Sequence, residues 1–392
     1  MNSTLHNERP DLFIVLDFGG SLTKGLYMGP DQKPKLLAME PEVIEVSKSS
    51  IQKYESRKMG MSVATPADSA WCGVGEEYWA VGYLAQSQFN ANPGLSQLKH
   101  ERAFPKVLTA VWVASQFLGL SDSFKAAIGI LLPPGEYDNG EHLCRRIESG
   151  LQEFETPTGK LKVHLTHFDC KPEGGGIYMM HSLSYQNKDA FRRKTIAVVM
   201  AGYRNASVLL AQRGQVVKRV TSDLGFVKLV EKVVAGNNWE VNRLVKAIVL
   251  AGDRPDLTQL IPVLRASTES GRKGELLRLR DAIVTSRQEY ALSLRSWVNE
   301  VLPKSVEEVV LCGGTADYLR CELSEHFARI SIIWHGVELP EELRSCGLGM
   351  RLCDVYGMYE YLRKVVAVSV PKRSRAKKKK EAIVPASEAT SA

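Results

Sequence analysis

Residues 16–27 read Leu-Asp-Phe-Gly-Gly-Ser-Leu-Thr-Lys-Gly-Leu-Tyr, so that an aspartate and a lysine frame a glycine pair. Asp17 offers an oxygen to a hydrated Mg²⁺ and Lys24 a compact positive charge to phosphate. Gly19 and Gly20 can take backbone angles that a Cβ resists, which lets the N–H groups of residues 19–22, Ser21 and Leu22 included, converge on phosphate oxygens. The chemistry is that of a nucleoside triphosphate and its metal, although a plain β-hairpin uses the same residues. A second glycine turn, Gly313-Gly314-Thr315, follows the apolar run 307–312. It can lie under a nucleotide from the far side of a cleft, or be a strand-to-helix turn and nothing more. Glu136, after Pro133-Pro134-Gly135, is a carboxylate able to hold a water in line. It would equally suit the start of a helix over 138–152.

The elements that must position these groups follow from periodicity. Residues 12–16 form an apolar strand that runs into the first glycine turn, and strands at 22–28 and 35–39 complete a meander. Residues 41–98 mix polarity and turn formers, with short strands near 43–46 and 78–81, and read as an insertion. Residues 101–118 carry Val107, Ala110, Val111, Ala114 and Phe117 on one helical face, stopped by Gly119. The run 124–132 suits a buried strand. The same grammar then returns: strands at 195–200, 206–212 and 215–221, with turns around Gly202, Asn205 and Gly214. Two meanders imply an internal duplication. Helices are expected at 226–234, 240–250, 256–266, 273–301 and 347–362. Gly174-Gly175-Gly176 reads as a loop before a strand at 177–183, and His164, His167 and His181 read as strand-edge histidines.

The chain has 392 residues, 44% apolar and 24% charged, which suits two lobes of a globular protein. Seven scattered cysteines show no paired spacing, so neither zinc nor a disulfide framework is expected. No run of about 18 apolar residues occurs and residues 1–11 are polar, so no membrane span or signal peptide is expected, and the cytoplasm is the expected location. Of the net charge of +7, residues 371–392 hold +5. That basic segment is expected to be disordered, serving as an arm for DNA or another polyanion or only as a solubilising tail.

The order of motifs resembles the actin-like ATPase superfamily, most closely the ParM-type plasmid-segregating bacterial actins, over about residues 12–365. Asp17–Lys24 is similar to the family's first phosphate loop, residues 131–137 to the segment before its interdomain helix, residues 197–207 to its second phosphate loop, residues 222–230 to the helix start after it, and residues 310–316 to its adenosine motif. The resemblance implies an α/β fold of two duplicated, ribonuclease H-like lobes around an ATP·Mg²⁺ cleft. Lobe I is expected over 1–155 with a return at 346–370, and lobe II over 156–345. It implies Glu136 as the residue that orients the attacking water, Gly202 and its neighbours closing over the γ-phosphate with Asn205 or Arg204 as a contact to it, and Gly313, Gly314 and Thr315 at the nucleoside. It also implies ATP-dependent polar filaments of the chain itself, a DNA-binding adaptor as partner, and hydrolysis that loosens the filament. One departure stands out: the family's second phosphate loop opens on an aspartate, and Met200 stands there. A weakly hydrolysing ATP-binding scaffold and a small-molecule kinase or phosphatase of the same superfamily are the alternatives.

Overall fold

A computed structural model describes residues 3–4, 9–30, 32–58, 64–235 and 239–369; the basic segment 371–392 lies outside them. Two sheets organise the chain. The first runs in the order Lys35–Met39, Thr23–Met28, Leu12–Phe18, Ser123–Leu132, Gly159–Pro172, Phe154–Thr156, Trp71–Val74, Glu77–Val81, Val43–Val46, with Ser3–Thr4 on the edge of Gly159–Pro172. The second runs Gln215–Ser222, Ala206–Gln212, Thr195–Ala201, Glu308–Cys312, Ser331–Trp334. In each, an antiparallel meander is followed by two parallel strands laid beside its first strand. The duplication expected from two meanders therefore extends to five strands in the same order and sense.

Leu12–Phe18 and Glu308–Cys312, the central parallel strands, are buried along their whole length, as strands covered on both faces must be. On the outer face of the first sheet lies Lys99–Leu118, whose Ala103, Val107, Ala110, Val111 and Ala114 recur at helical spacing and are buried. Gly119, at φ +64°, ends it. The outer face of the second sheet is covered by Phe226–Val234, Val241–Ala251 and Glu269–Val301.

Between the sheets lie two helices, Gly175–Ser184 and Cys353–Ser369. A single apolar cluster joins Phe13, Val15 and Leu131 of the first sheet to Val198, Val310 and Cys312 of the second through Ile177, Met358 and Leu362 of these helices. The helices meet at glycines: a Cβ on Gly357 would stand 2.3 Å from the Gly176 carbonyl oxygen, and one on Gly176 would stand 2.2 Å from that of Asp354.

Three expectations are corrected. Residues 177–183 are helical, not a strand, and the glycine triplet opens that helix. Gly174 takes φ +85° and donates its N–H to the Asp354 carboxylate at 2.7 Å. The run Ile-Tyr-Met-Met carries no period able to separate the two structures. His181 accordingly lies on a helix, buried against Glu308 at 2.5 Å. The strand Gly159–Pro172 falls beyond the expected boundary at 155 yet pairs in parallel with Ser123–Leu132, so the first sheet keeps the chain to Pro172. Residues 256–266 give only the short turns Leu257–Leu260 and Ile261–Val263.

Candidate functional site

The first hairpin sets Asp17 directly opposite Lys24 in register, and the two side chains form a buried ion pair. Only one Asp17 oxygen is used. Its Oδ1 is buried without a hydrogen-bond partner. Burial alone would raise this carboxyl, but Lys24, Lys99 and Arg351 outweigh it and hold Asp17 below the usual carboxylate range. Neither Gly19 nor Gly20 has a positive φ among the described glycines, so backbone freedom is not what requires them. Close approach is. A Cβ on Gly19 would stand 2.6 Å from the Leu22 carbonyl oxygen, and one on Gly20 would stand 2.9 Å from Cβ of Arg204 in the opposite lobe.

The second hairpin turns at Gly202–Asn205. Gly202 donates to the Asn205 carbonyl at 2.9 Å, and its own carbonyl accepts from the Thr315 hydroxyl at 2.8 Å and the Phe226 N–H at 3.0 Å. Asn205 is buried and donates to Ser207 Oγ at 3.5 Å. Gly313, at φ +96°, lets the chain pass the Ala201 carbonyl, where a Cβ would meet oxygen at 2.3 Å. The turns at 202 and 313 are thus locked to each other. Arg351 links both sides: it donates to Ser21 Oγ at 3.3 Å, and a Cβ on Gly314 would lie 3.7 Å from its Cδ.

Glu136 is buried, with both carboxylate oxygens engaged. Oε2 accepts from the His100 backbone N–H at 2.9 Å and lies 3.1 Å from its Nδ1, while Oε1 accepts from Arg204 at 3.4 Å. The helix it caps is therefore Lys99–Leu118, not the one that follows it in sequence.

Sequence reasoning passed over three acidic and basic groups at the floor of the site. Glu173, immediately before the glycine triplet, is buried and paired with Lys99. Burial pushes its carboxyl up, Lys99 opposes that, and Asp17 adds to the rise. Asp354 accepts from Gly174 at 2.7 Å and from Ile177 at 3.2 Å; burial pushes it up to about 7, with the charges of Asp17 and Glu173 adding to the effect. A glutamate next to a glycine run was the one signal available.

The residues fit a hydrated Mg²⁺ and a triphosphate. The orphaned Asp17 Oδ1 is an acceptor for a metal-bound water, and Gly19 and Gly20 leave the turn without side chains where a Cβ would meet Leu22 and Arg204. Among the described residues no group of three or more His, Cys, Asp or Glu could hold a metal ion directly.

No protein-family model matches the sequence, and no curated protein matches it. Solved structures do, and they define the class: the chain has the actin-like fold. It is similar to the actin-like protein Alp7A at 16% identity and a TM-score of 0.62, covering 91% of this chain and 97% of that one. Bacillus thuringiensis ParM with ATP matches at 12% identity and 0.59, over 91% and 99%. A ParM of a 15-stranded filament from Clostridium botulinum matches at 12% and 0.57, over 91% and 100%. Among the described residues no helix is long and apolar enough to cross a membrane.

Proposed function

We propose that this chain binds ATP·Mg²⁺ between its lobes and assembles in the cytoplasm into polar filaments of its own copies, which hydrolysis loosens, in the segregation of DNA through a DNA-binding adaptor. The observation that carries the reading is the pair of hairpin turns facing each other, one holding Asp17 with a free buried oxygen and Lys24, the other Gly202 locked to Thr315. Fold likeness to filament-forming proteins supports the assembly.

Asp17 would hold the metal's water, Lys24 would neutralise phosphate charge, and N–H groups of residues 19–22 would hold the phosphate chain. When bound, Mg²⁺ spreads the charge that phosphoryl transfer develops. Gly202–Asn205 would close from the second lobe, and Gly313–Thr315 would support the nucleoside. For the carboxylate that holds the attacking water, the geometry favours Glu173 over Glu136. Oε2 of Glu136 is spent on two His100 nitrogens and its Oε1 comes free only when Arg204 lets go, whereas Glu173 is paired through one oxygen with Lys99 and lies within the electrostatic reach of Asp17. Glu173→Gln should lower turnover by about 10²-fold with ATP binding retained, and more than Glu136→Gln does; the reverse order returns the role to Glu136.

Sedimentation and electron microscopy test the main claim. Filaments are expected with ATP or a slowly hydrolysed analogue and few with ADP; monomers under every nucleotide, salt and protein concentration would refute it. A slow ATPase is the version that Met200 favours. We also propose that residues 371–392 grip DNA, so their removal should weaken binding and flatten its dependence on salt. An unchanged isotherm dismisses that role.

A further inference from the structure

The two hairpins have the same register but not the same charges. Asp17 faces Lys24 one pair in from the turn of the first; at the same place in the second, Met200 faces Ser207. The strands of the second lobe bring no charged pair to the site, and its cation comes from the turn itself as Arg204.

That turn is fixed. The Tyr203 carbonyl accepts from the Val227 N–H at 2.9 Å, and Gly225 approaches so closely that a Cβ there would stand 2.1 Å from the Arg204 carbonyl carbon. From this base the Arg204 side chain touches three separate segments of the first lobe. Its Cβ lies against Gly20, its Nε donates to the Leu95 carbonyl at 2.8 Å, and its Nη1 donates to Glu136 at 3.4 Å. The last bond is long and uses one nitrogen. Arg287, by contrast, grips Glu322 with two nitrogens at 2.6 and 2.9 Å. With Nε anchored on Leu95 and the carboxylate so weakly held, the Nη donors beside the glycine loop that would carry phosphate are free to exchange Glu136 for a better anion, and phosphate accepts such donors with two oxygens.

We infer that Arg204 is an exchangeable clasp: it holds Glu136 across the cleft and transfers its Nη donors to the terminal phosphate of a nucleoside triphosphate. The inference rests on the nucleotide-cleft reading above and adds the means by which the site tells tri- from diphosphate, since a diphosphate has no terminal group to compete for the guanidinium. Glu136 is then the competitor that sets how strongly the triphosphate must pull.

The test is a titration of the full chain with the slowly hydrolysed analogue ATPγS and with ADP, both with Mg²⁺. Arg204→Gln should weaken ATPγS binding by about 10- to 100-fold and ADP binding by less than about threefold. Arg204→Lys, a point charge without the fork, should fall between. Glu136→Gln should tighten ATPγS severalfold by freeing the guanidinium, and the double variant should behave as Arg204→Gln. An unaltered ratio of the two affinities in Arg204→Gln, or an equal loss for both nucleotides, overturns the clasp and leaves the cleft standing. A wild-type chain that binds neither nucleotide overturns the cleft reading, and the clasp with it.

Discussion

Three carboxylates share the floor of the site, and their environments push them apart. Asp17 is held low by the cations around it, while Glu173 and Asp354 are pushed up by burial. The folded chain keeps the Asp354 proton to about 7, whereas an unfolded aspartic acid releases it near 3.8. Between those values the folded state binds more protons, so this group's contribution is fully present below 3.8 and is lost as pH rises through 7. Asp17 acts with the opposite sign, its contribution lost as pH falls through its lowered range. A melting series should therefore show the wild type losing stability from about pH 5 to about pH 8, and Asp354→Asn losing less of it. At about pH 5 the variant should be weaker by roughly 1–2 kcal/mol, because one amide oxygen replaces two acceptors for Gly174 and Ile177. An unchanged slope would mean that Asp354 is already ionised at acid pH. Asp17 and Lys24 were legible in the sequence because one hairpin brings them together across seven residues. Asp354 was not: it reaches Gly174 across 180 residues, and no local spacing records such a contact.

At the scale of elements, the crossing of Gly175–Ser184 and Cys353–Ser369 is the joint between the lobes. Each helix rests on its own sheet: Met358 and Leu362 lie against Gly129 of the first, and Ile177 shares its place with Val310 of the second beside Gly336. Backbone meets backbone at Gly176 and Gly357, and a methyl added to Gly357 has only the main chain of Gly176 to displace. Gly357→Ala should cost about 1–3 kcal/mol in a denaturant titration despite the better helix propensity of alanine. Gly274→Ala, within Glu269–Val301 where the nearest atom is the flexible end of Arg278 at 3.6 Å, should gain about 0.5–1 kcal/mol. Equal effects at the two sites would show that propensity, not approach, governs the crossing. The meanders, the long helices and the buried parallel strands were legible because each carries a clean period over enough residues. The helix at 175–184 was not, since its short apolar run fits either period and its capping acid lies in Asp354. The sheet membership of Gly159–Pro172 likewise depends on a partner, Ser123–Leu132, that composition near the boundary cannot reveal.

At the scale of the whole molecule, duplication turns each lobe into a control for the other. The strand Leu12–Phe18 places Asp17 one residue before its end, opposite Lys24 and beside Leu131; Thr195–Ala201 places Met200 one residue before its end, opposite Ser207 and beside Cys312. The second lobe therefore presents a thioether where the first presents a carboxylate. Binding needs only one such carboxylate to hold the metal's water, whereas fast hydrolysis gains from a second acceptor on the far side of the terminal phosphate. Restoring the symmetry by Met200→Asp should raise phosphate release at least about tenfold, roughly 1.4 kcal/mol off the barrier. The new carboxylate would displace a side chain packed against the shared apolar cluster, so a stability loss of about 1–3 kcal/mol should accompany it. Phosphate release that stays at the wild-type rate in a folded, ATP-binding Met200→Asp variant would show that the asymmetry between the hairpins does not limit turnover. A limit on turnover would then have to be sought elsewhere, and Gly357→Ala at the joint between the lobes would be expected to change the rate instead.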